Sequence, residues 1–525
     1  MARSSRKPHW GRYALLAFLG AWLLTGWWYA ARPLPPGLHV TGPEVGLPDD
    51  SITLLSDLTS RDLRGDPQVV QQIHAALLEH IRGARDFLVV DYFLFNEQPG
   101  PSGELGYQNG IRPVARELRE ALLALRQSQP QLPILVLIDP INDYYRGTVP
   151  DALAPLVQAG IDVVVIDLDA LRDSNPAYSG LWRLLFSWWL KPGVHGGWAN
   201  VLDAKGPRLP LAALLRLPNF KAGHRKVLIT GDGEGSLRGI VSSGNPHDAS
   251  SAHSNVALAL RSEALRALLD SELAIAGFSG WQDERGLRAA IDAARTADAE
   301  RTAATERSEA AGAASSAGVT PVPPLPVPNR VSIATEGAIR DALLAALGQA
   351  AAGDEVDIAQ FYLSERGTIV ALLKAAARGA TVRVLLDPNK DAFGFEKSGL
   401  PNSMVASELV AASDGAIKLH WYRTHGEQFH VKLAAIRHGD ELWLTVGSAN
   451  FTRRNLDDYN LEANVIVRAP RGGTLDVAVL NWFDTLWQNR PGRIEYTADA
   501  DLYADPSIGR YWLYRFMEAT GLSSF

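Results

Sequence analysis

Apolar and polar positions along this chain follow one order of elements, stated twice. From residue 73 to 95, Ile73, Leu77 and Leu78 recur at helical spacing and then give way to the apolar run FLVVDYFLF, which predicts a helix leading into a buried strand. Residues 339–363, IRDALLAALGQAAAGDEVDIAQFYL, repeat that order. PILVLIDP at 133–140 is matched by TVRVLLDP at 381–388, and IDVVVIDL at 161–168 by AIKLHWYR at 416–423. HRKVLIT at 224–230 then answers to HVKLAAI at 430–436, GIVSSGN at 239–245 to LTVGSAN at 444–450, and SNVALAL at 254–260 to ANVIVRA at 463–469. Strands mixed with helices in this order predict an α/β protein of two pseudo-repeated lobes, each a mixed β-sheet flanked by helices.

The landmarks place a first lobe at 50–296 and a second at 329–525. Between them, 297–328 is rich in Ala, Ser, Thr and Glu and ends in PVPPLPVP, the composition of a linker. The first lobe carries an insertion at about 170–222 containing GLWRLLFSWWLKPGVHGGW. Its Trp182, Leu184, Leu185, Phe186, Trp188, Trp189 and Leu190 read as a helix packed across the lobe or as a lipid-facing patch.

Arg3, Arg6, Lys7 and Arg12 precede an uncharged run from Tyr13 to Ala31, about 28 Å long as a helix and so able to cross a bilayer core. Trp22, Trp27, Trp28 and Tyr29 crowd its distal half, and Arg32, Pro33, Pro35 and Pro36 follow, as at an exit from a membrane. A cleavable signal needs small residues at −3 and −1, whereas near Ala30 and Ala31 the −3 position falls on Trp28 or Tyr29. Residues 1–36 are therefore expected to be an uncleaved single-pass anchor, with a cleaved signal and a buried helix as the weaker readings. The basic flank stays in the cytoplasm and the lobes lie outside, on the periplasmic side of the inner membrane in a Gram-negative cell.

Composition narrows the chemistry. With 46% hydrophobic and 21% charged residues, the remainder reads as folded and globular rather than disordered or many times membrane-spanning. The net charge of −7 argues against nucleic acid as the main partner, which a basic surface normally meets. The absence of cysteine excludes disulfides, thiolate metal sites and cysteine nucleophiles.

Each half sets a His and a Lys two apart at the start of a strand, so that both project from one face. An Asn follows twenty-one residues after His224 and twenty after His430, across a segment that reads as strand, turn, strand. Two triplets result: His224, Lys226 and Asn245, and His430, Lys432 and Asn450. Facing each other at the lobe interface, they suit one phosphodiester. The lysines and asparagines hold its charge without a metal ion, one neutral imidazole attacks phosphorus and the other, protonated, supplies the departing oxygen with a proton.

The paired HRK…SSGN and HVK…GSAN elements resemble the signature of the phospholipase D superfamily, HxK followed by a GSxN-like element, present twice. The resemblance covers nearly the whole chain after the anchor, and implies the family's two-lobed fold, a covalent phosphohistidine and no required metal or cofactor. The family's Asp five residues after the Lys is absent, Gly231 and Arg437 standing there, and Asp232 and Asp440 slightly beyond are not assigned. The resemblance also implies an acidic residue beyond each Asn that orients a histidine. Glu462 takes that place in the second half, with His253 as its first-half counterpart. Glu462 is expected to serve His430 and keep it charged, leaving His224 as the nucleophile.

Other candidates read more plainly. Asp139 and Asp387 are expected to form turns; His247, His253, His425 and His438 to be loop or packing residues; Arg453 and Arg454 to bind phosphate or be solvated; His195 is unassigned. Anchor, acidic charge and Trp-rich insertion favour a phospholipid substrate, with hydrolysis or transfer to an alcohol such as phosphatidylglycerol, in the manner of cardiolipin synthase-like members. A nuclease or other non-lipid phosphodiesterase, and a non-catalytic membrane-tethered binding module, are the alternatives.

Overall fold

The computed structural model describes residues 10–98, 112–203, 206–297, 301, 307, 329–392, 395–490, 492, 494–523 and 525. Nearly all of the expected linker 297–328 lies outside the described residues, as do Arg3, Arg6 and Lys7. The strands are β1 (Val45–Leu47), β2 (Ile52–Arg61), β3 (Pro67–Val70), β4 (Leu88–Tyr92), β5 (Ile134–Ile138), β6 (Asp162–Val165), β7 (Lys226–Gly231), β8 (Leu237–Ser242) and β9 (Asn255–Arg261). They continue as β10 (Asn329–Thr335), β11 (Glu355–Gln360), β12 (Thr381–Leu386), β13 (Asp391–Ala392), β14 (Phe395–Glu396), β15 (Lys418–Tyr422), β16 (Lys432–His438), β17 (Glu441–Gly447), β18 (Ala463–Pro470) and β19 (Thr497–Asp499).

Two large mixed sheets result, ordered β3-β2-β9-β8-β7-β4-β5-β6 and β1-β10-β18-β17-β16-β11-β12-β15-β19. The repeat is visible in the shared series β2-β9-β8-β7-β4-β5-β6 and β10-β18-β17-β16-β11-β12-β15. In each, the last three strands run parallel and the others pair antiparallel. The parallel strands need helical crossovers, which is why the helices Val114–Ser128 and Arg366–Ala377 join β4 to β5 and β11 to β12. β1 precedes the first lobe in sequence, yet it closes the edge of the second sheet, with Val45 opposite Val331.

Period-two alternation gives each central strand two apolar faces. Val227 and Ile229 of β7, with Leu433 and Ala435 of β16, enter one core shared by the two lobes. Leu228 faces the outer core of the first lobe and Ala434 and Ile436 that of the second. Each fully buried aliphatic side chain stabilises by roughly 1.5–3 kcal/mol, so the shared core holds the lobes as one body.

Arg225, the middle residue of HRK, points into this shared layer and is fully buried. It meets Glu272 at 3.0 Å and Glu336, from the second lobe, at 2.6 Å. Val431 stands at the matching place in HVK and is simply buried. Arg225→Met leaves two carboxylates buried without their cation, and is expected to destabilise the chain by about 3–5 kcal/mol. Urea unfolding of the variant against the parent checks this.

Trp10–Ala31 is a helix of 22 residues, long and apolar enough to cross a membrane. The insertion is packed on the lobe in one part and exposed in another. Trp182 of the helix Pro176–Leu185 is buried, whereas Trp188 and Trp189 just beyond are exposed.

Candidate active site

β7 and β16 lie near the centre of their sheets, and each forms a hairpin with the next strand. The residues just before them are tied across the lobe interface by two parallel bridges, Gly223 to Leu461 and Ser254 to Phe429. His224 N donates to Leu461 O at 2.9 Å and His430 N to Ser254 O at 2.8 Å. Both histidine backbones are therefore fixed by the opposite lobe.

Asp139 and Asp387 do more than form turns. Each uses Oδ1 to cap its own turn, accepting from Ile141 N and Asn389 N. Each uses Oδ2 to accept, at 2.7 Å, from the backbone N–H of the residue preceding a site histidine, Gly223 or Phe429. The Asp-Pro ends of β5 and β12 thus pin both HxK segments. Burial pushes Asp139 up to about 7.

The pairing of the rings corrects the sequence expectation. Glu462 meets His224, not His430, with Oε1 2.8 Å and Oε2 3.1 Å from Nδ1. His430 Nδ1 instead lies 3.2 Å from Asn255 Oδ1. The counterpart of Glu462 is accordingly Asn255 rather than His253. Ser448 Oγ donates to Glu462 and accepts from Ala463 N, and Ser243 Oγ likewise donates to Asn255 Oδ1 and accepts from Val256 N. The loop from the SxN element to this partner is two residues shorter in the first half, so matching the following strands by apolar pattern slips the register. Serving the opposite lobe's histidine is a tertiary relation that no spacing reveals.

The Asn255 amide is oriented by Nδ2, which donates to His253 O at 3.2 Å. Its Oδ1 therefore faces His430 and requires a proton on that ring's Nδ1. Glu462 makes the same demand of His224, with Asn455 Nδ2 donating to its other side. Both rings are left with Nε2 for chemistry.

Lys226 and Lys432 each donate Nζ to the carbonyl of their own histidine. Two aromatic residues that sequence reasoning missed complete the symmetry. The rings of Phe93 and His224 are 5.0 Å apart at 58°, and those of Phe361 and His430 5.0 Å apart at 57°. Lys226 Nζ lies 5.3 Å from the Phe93 centroid and Lys432 Nζ 5.1 Å from that of Phe361. Their signal was present: both follow directly on the matched strands β4 and β11.

The two asparagines follow the second strand of each hairpin. Asn245 accepts through Oδ1 from Leu94 N at 3.2 Å. Asn450 is buried and its Oδ1 has no hydrogen-bond partner among the described residues, an arrangement that buried polar atoms rarely tolerate without a ligand or water.

Electrostatically the site gathers two lysines and two histidines around the carboxylate of Glu462. Burial, followed by the coulombic effect of Lys226, depresses Lys432 well below the ordinary lysine value. Burial brings Lys226 to about 7, opposed by Glu462, Asp91 and Asp139. His224 falls to about 4 through burial and both lysines, against the pull of Glu462. His430 falls well below its usual value through burial, then Lys432 and Lys226. Burial resists the charge of Glu462 too, yet His224, Lys226 and Ser448 outweigh it and hold the carboxyl below its ordinary range. The expectation that Glu462 keeps His430 charged is thus reversed: both imidazoles rest neutral until negative charge arrives.

His253 lies nearer the site than a loop residue would, its ring 6.2 Å from that of His430. Its Nδ1 accepts from Gln428 N, and burial, then His247 and Lys432, lower it to about 3. A neutral His253 therefore contributes stability that is present above about pH 6.5 and lost as the pH falls toward about 3. In His253→Gln, which keeps an acceptor, stability is expected to fall less steeply with acidity, by up to about 1.4 kcal/mol per pH unit. Denaturant unfolding across that window checks the sign.

The remaining candidates lie as follows. Arg454 is buried, with its guanidinium on the carbonyls of Gly521 and Ser523, and Arg453 bonds Ser174 O and Tyr459. His247 packs on Ser250, and His438 is a surface partner of Asp354. Asp232 pairs with Arg261.

Residues 343–487 match the family model described as cardiolipin synthase, phospholipase D-like domain. No curated protein sequence matches the chain. Among solved structures it is similar to phosphatidylserine synthase of Haemophilus influenzae Rd KW20, at 12% identity and a TM-score of 0.51, over 92% of this chain and 96% of that one. Polyphosphate kinase from Porphyromonas gingivalis follows at 10% identity and a TM-score of 0.41, over 90% and 53%. The phospholipase D family member Nuc from Salmonella typhimurium matches at 20% identity and a TM-score of 0.24, over 32% and 96%. The second lobe thus matches a phospholipase D-like family model, and the fold of the first of these structures spans both lobes.

Proposed function

We propose that this chain is a membrane-anchored phosphodiesterase or phosphatidyltransferase that acts on phospholipids through a covalent phosphohistidine. The observation that carries the reading is the crossed pairing of two buried His-Lys units, with Glu462 behind His224 and Asn255 behind His430. The ionised carboxylate raises the basicity of His224 and keeps the Nε2 lone pair toward the site, which suits it to attack phosphorus. The neutral amide orients His430 without stabilising its cation, so that ring, once protonated, is the stronger acid. His224 thus keeps the nucleophile's role, for a different reason than sequence alone offered.

A phosphodiester anion enters between Lys226 and Lys432 and supplies counter-charge; Asn245 and Asn450 complete its hydrogen bonding. Its field also raises His430, which takes up a proton. His224 Nε2 bonds to phosphorus, the bond to the leaving oxygen breaks, and His430 Nε2–H protonates that oxygen. Water or an alcohol then passes its proton to His430 and attacks phosphorus, and the phosphorus–nitrogen bond breaks. Water yields phosphatidic acid; an alcohol such as phosphatidylglycerol yields a transfer product.

A lipid substrate is supported by the family model's description and by the apolar helix Trp10–Ala31, which would hold the lobes beside the extracytoplasmic face of a membrane. The full chain in phosphatidylglycerol-containing vesicles is expected to turn over labelled lipid in EDTA and to leave single-stranded DNA intact. Cleavage of DNA alone overturns the reading in favour of a nuclease, and inertness toward both in favour of a binding module.

A further inference from the structure

The helix Trp10–Ala31 does not stand apart from the lobes. Asp173 N donates to Tyr29 O at 2.9 Å, Gly26 lies against Pro176, and Gly180 lies against Trp22. A Cβ on Gly26 would fall 2.5 Å from Pro176 O, and one on Gly180 2.9 Å from Trp22 O, so the two backbones touch as only glycine permits. Trp22 Nε1 also donates to Ala177 O at 2.7 Å. Contacts that descend the first helix as they climb the second make the pair antiparallel. Beyond Gly180, the insertion helix Pro176–Leu185 therefore runs about 7 Å back along the N-terminal helix before it ends. There Trp188 and Trp189 stand 69% and 52% exposed.

The C-terminal helix Ile508–Thr520 meets the same place from the other side. Its capping Gly521 abuts Ser174 and Asn175, the residues just before the insertion helix. This helix has its polarity inside out. Tyr514 and Glu518 are buried against the lobe, whereas Ile508, Trp512, Leu513 and Phe516, which share the opposite face at helical spacing, are 49–75% exposed. Arg510 is held by Asp505 and by Ser398 O, and Arg515 by the Tyr511 hydroxyl. An apolar stripe left exposed on a helix whose other face is seated on the protein is the pattern of a helix lying in a membrane interface.

We propose that the phospholipid bilayer covers these two surfaces: the end of the insertion helix, with Trp188 and Trp189, enters the leaflet beside Trp10–Ala31, while the outward face of Ile508–Thr520 lies at the headgroup boundary. This rests on the reading of Trp10–Ala31 as a membrane span. The bilayer is favoured because one surface runs along that helix and the other meets it where the chain leaves it. The same surfaces reach the active site: Arg454, three residues beyond Phe451 of the SxN hairpin loop, bonds the carbonyls of Gly521 and Ser523. A site seated in this way takes diesters from the leaflet without lifting them into water.

The absence of cysteine permits a direct test in the full chain. Single variants Trp188→Cys, Phe516→Cys and Leu24→Cys, with Glu234→Cys at the far end of β7, carry an environment-sensitive fluorophore in phosphatidylethanolamine–phosphatidylglycerol vesicles at low protein density. The expected result is a blue shift and loss of emission to nitroxide-labelled lipid at 24, 188 and 516, and none at 234. Quenching at 24 with 188 and 516 behaving like 234 overturns the proposal and leaves the anchor standing. No quenching at 24 removes the anchor reading and the proposal with it. Shielding of 188 and 516 that appears only as protein density rises, without nitroxide quenching, assigns the surfaces to a second copy and also overturns it.

Discussion

His224→Ala is expected to lower phosphodiester turnover by at least about 10⁴-fold, because it removes the atom that bonds to phosphorus. His430→Ala is expected to cost about 10²–10⁴-fold with an alkyl leaving group, whose oxygen must be protonated as it departs. With a p-nitrophenyl diester, whose leaving oxygen needs no proton, the two variants should separate. His430→Ala should still release a burst of nitrophenol and trap a phosphoprotein, whereas His224→Ala should show neither. A burst from His224→Ala and none from His430→Ala would exchange the assigned roles.

Glu462→Gln should lower kcat by about 10³-fold or more with little change in KM, because an amide facing His224 can donate to Nδ1 and turn the ring's lone pair away from the substrate. Three donors already converge on the Glu462 carboxylate, from His224, Ser448 and Asn455, and an amide has a single oxygen to offer them. The contrasting variant is Asn255→Asp. A carboxylate behind His430 favours its imidazolium, so the basic limb of the kcat profile is expected to move to higher pH. Should both variants leave tautomer-sensitive nitrogen NMR shifts of the two histidines unchanged, the orienting roles of Glu462 and Asn255 would be wrong.

The difference between these two residues is what lends direction to a site that is otherwise nearly two-fold. The Phe-His and Lys-Phe distances agree within a few tenths of an ångström between the halves, and the aspartate pins are alike at 2.7 Å. A symmetric pair of buried imidazoles would have no reason to divide nucleophile from acid. One carboxylate against one amide, each reaching over from the opposite lobe, supplies that reason at no cost to the shared scaffold. The buried lysines act on both sides alike, since each raises the electrostatic need for an anion that a phosphodiester satisfies.

Local order made much of this legible. Strand-period apolar runs ending in Asp-Pro, the duplicated HxK and SxN elements and their near-equal spacing are properties of neighbouring residues, and they were sufficient for the α/β class and for two repeated lobes, each with a mixed sheet. What lay beyond reach were contacts between residues far apart in the chain. The partner of each ring comes from the opposite lobe, so the chain separation of His224 and Glu462, 238 residues, carries no periodic signal, and a two-residue loop difference was enough to put His253 in the place of Asn255. The pinning by Asp139 and Asp387, the burial that strips both imidazoles of charge, the closing of the second sheet by Val45–Leu47 and the docking of the first helix on the insertion were likewise decided only when the lobes packed. Sequence determines which groups are available and on which face of a strand they stand; desolvation and cross-lobe hydrogen bonding, which exist only in the assembled fold, determine what each group can do.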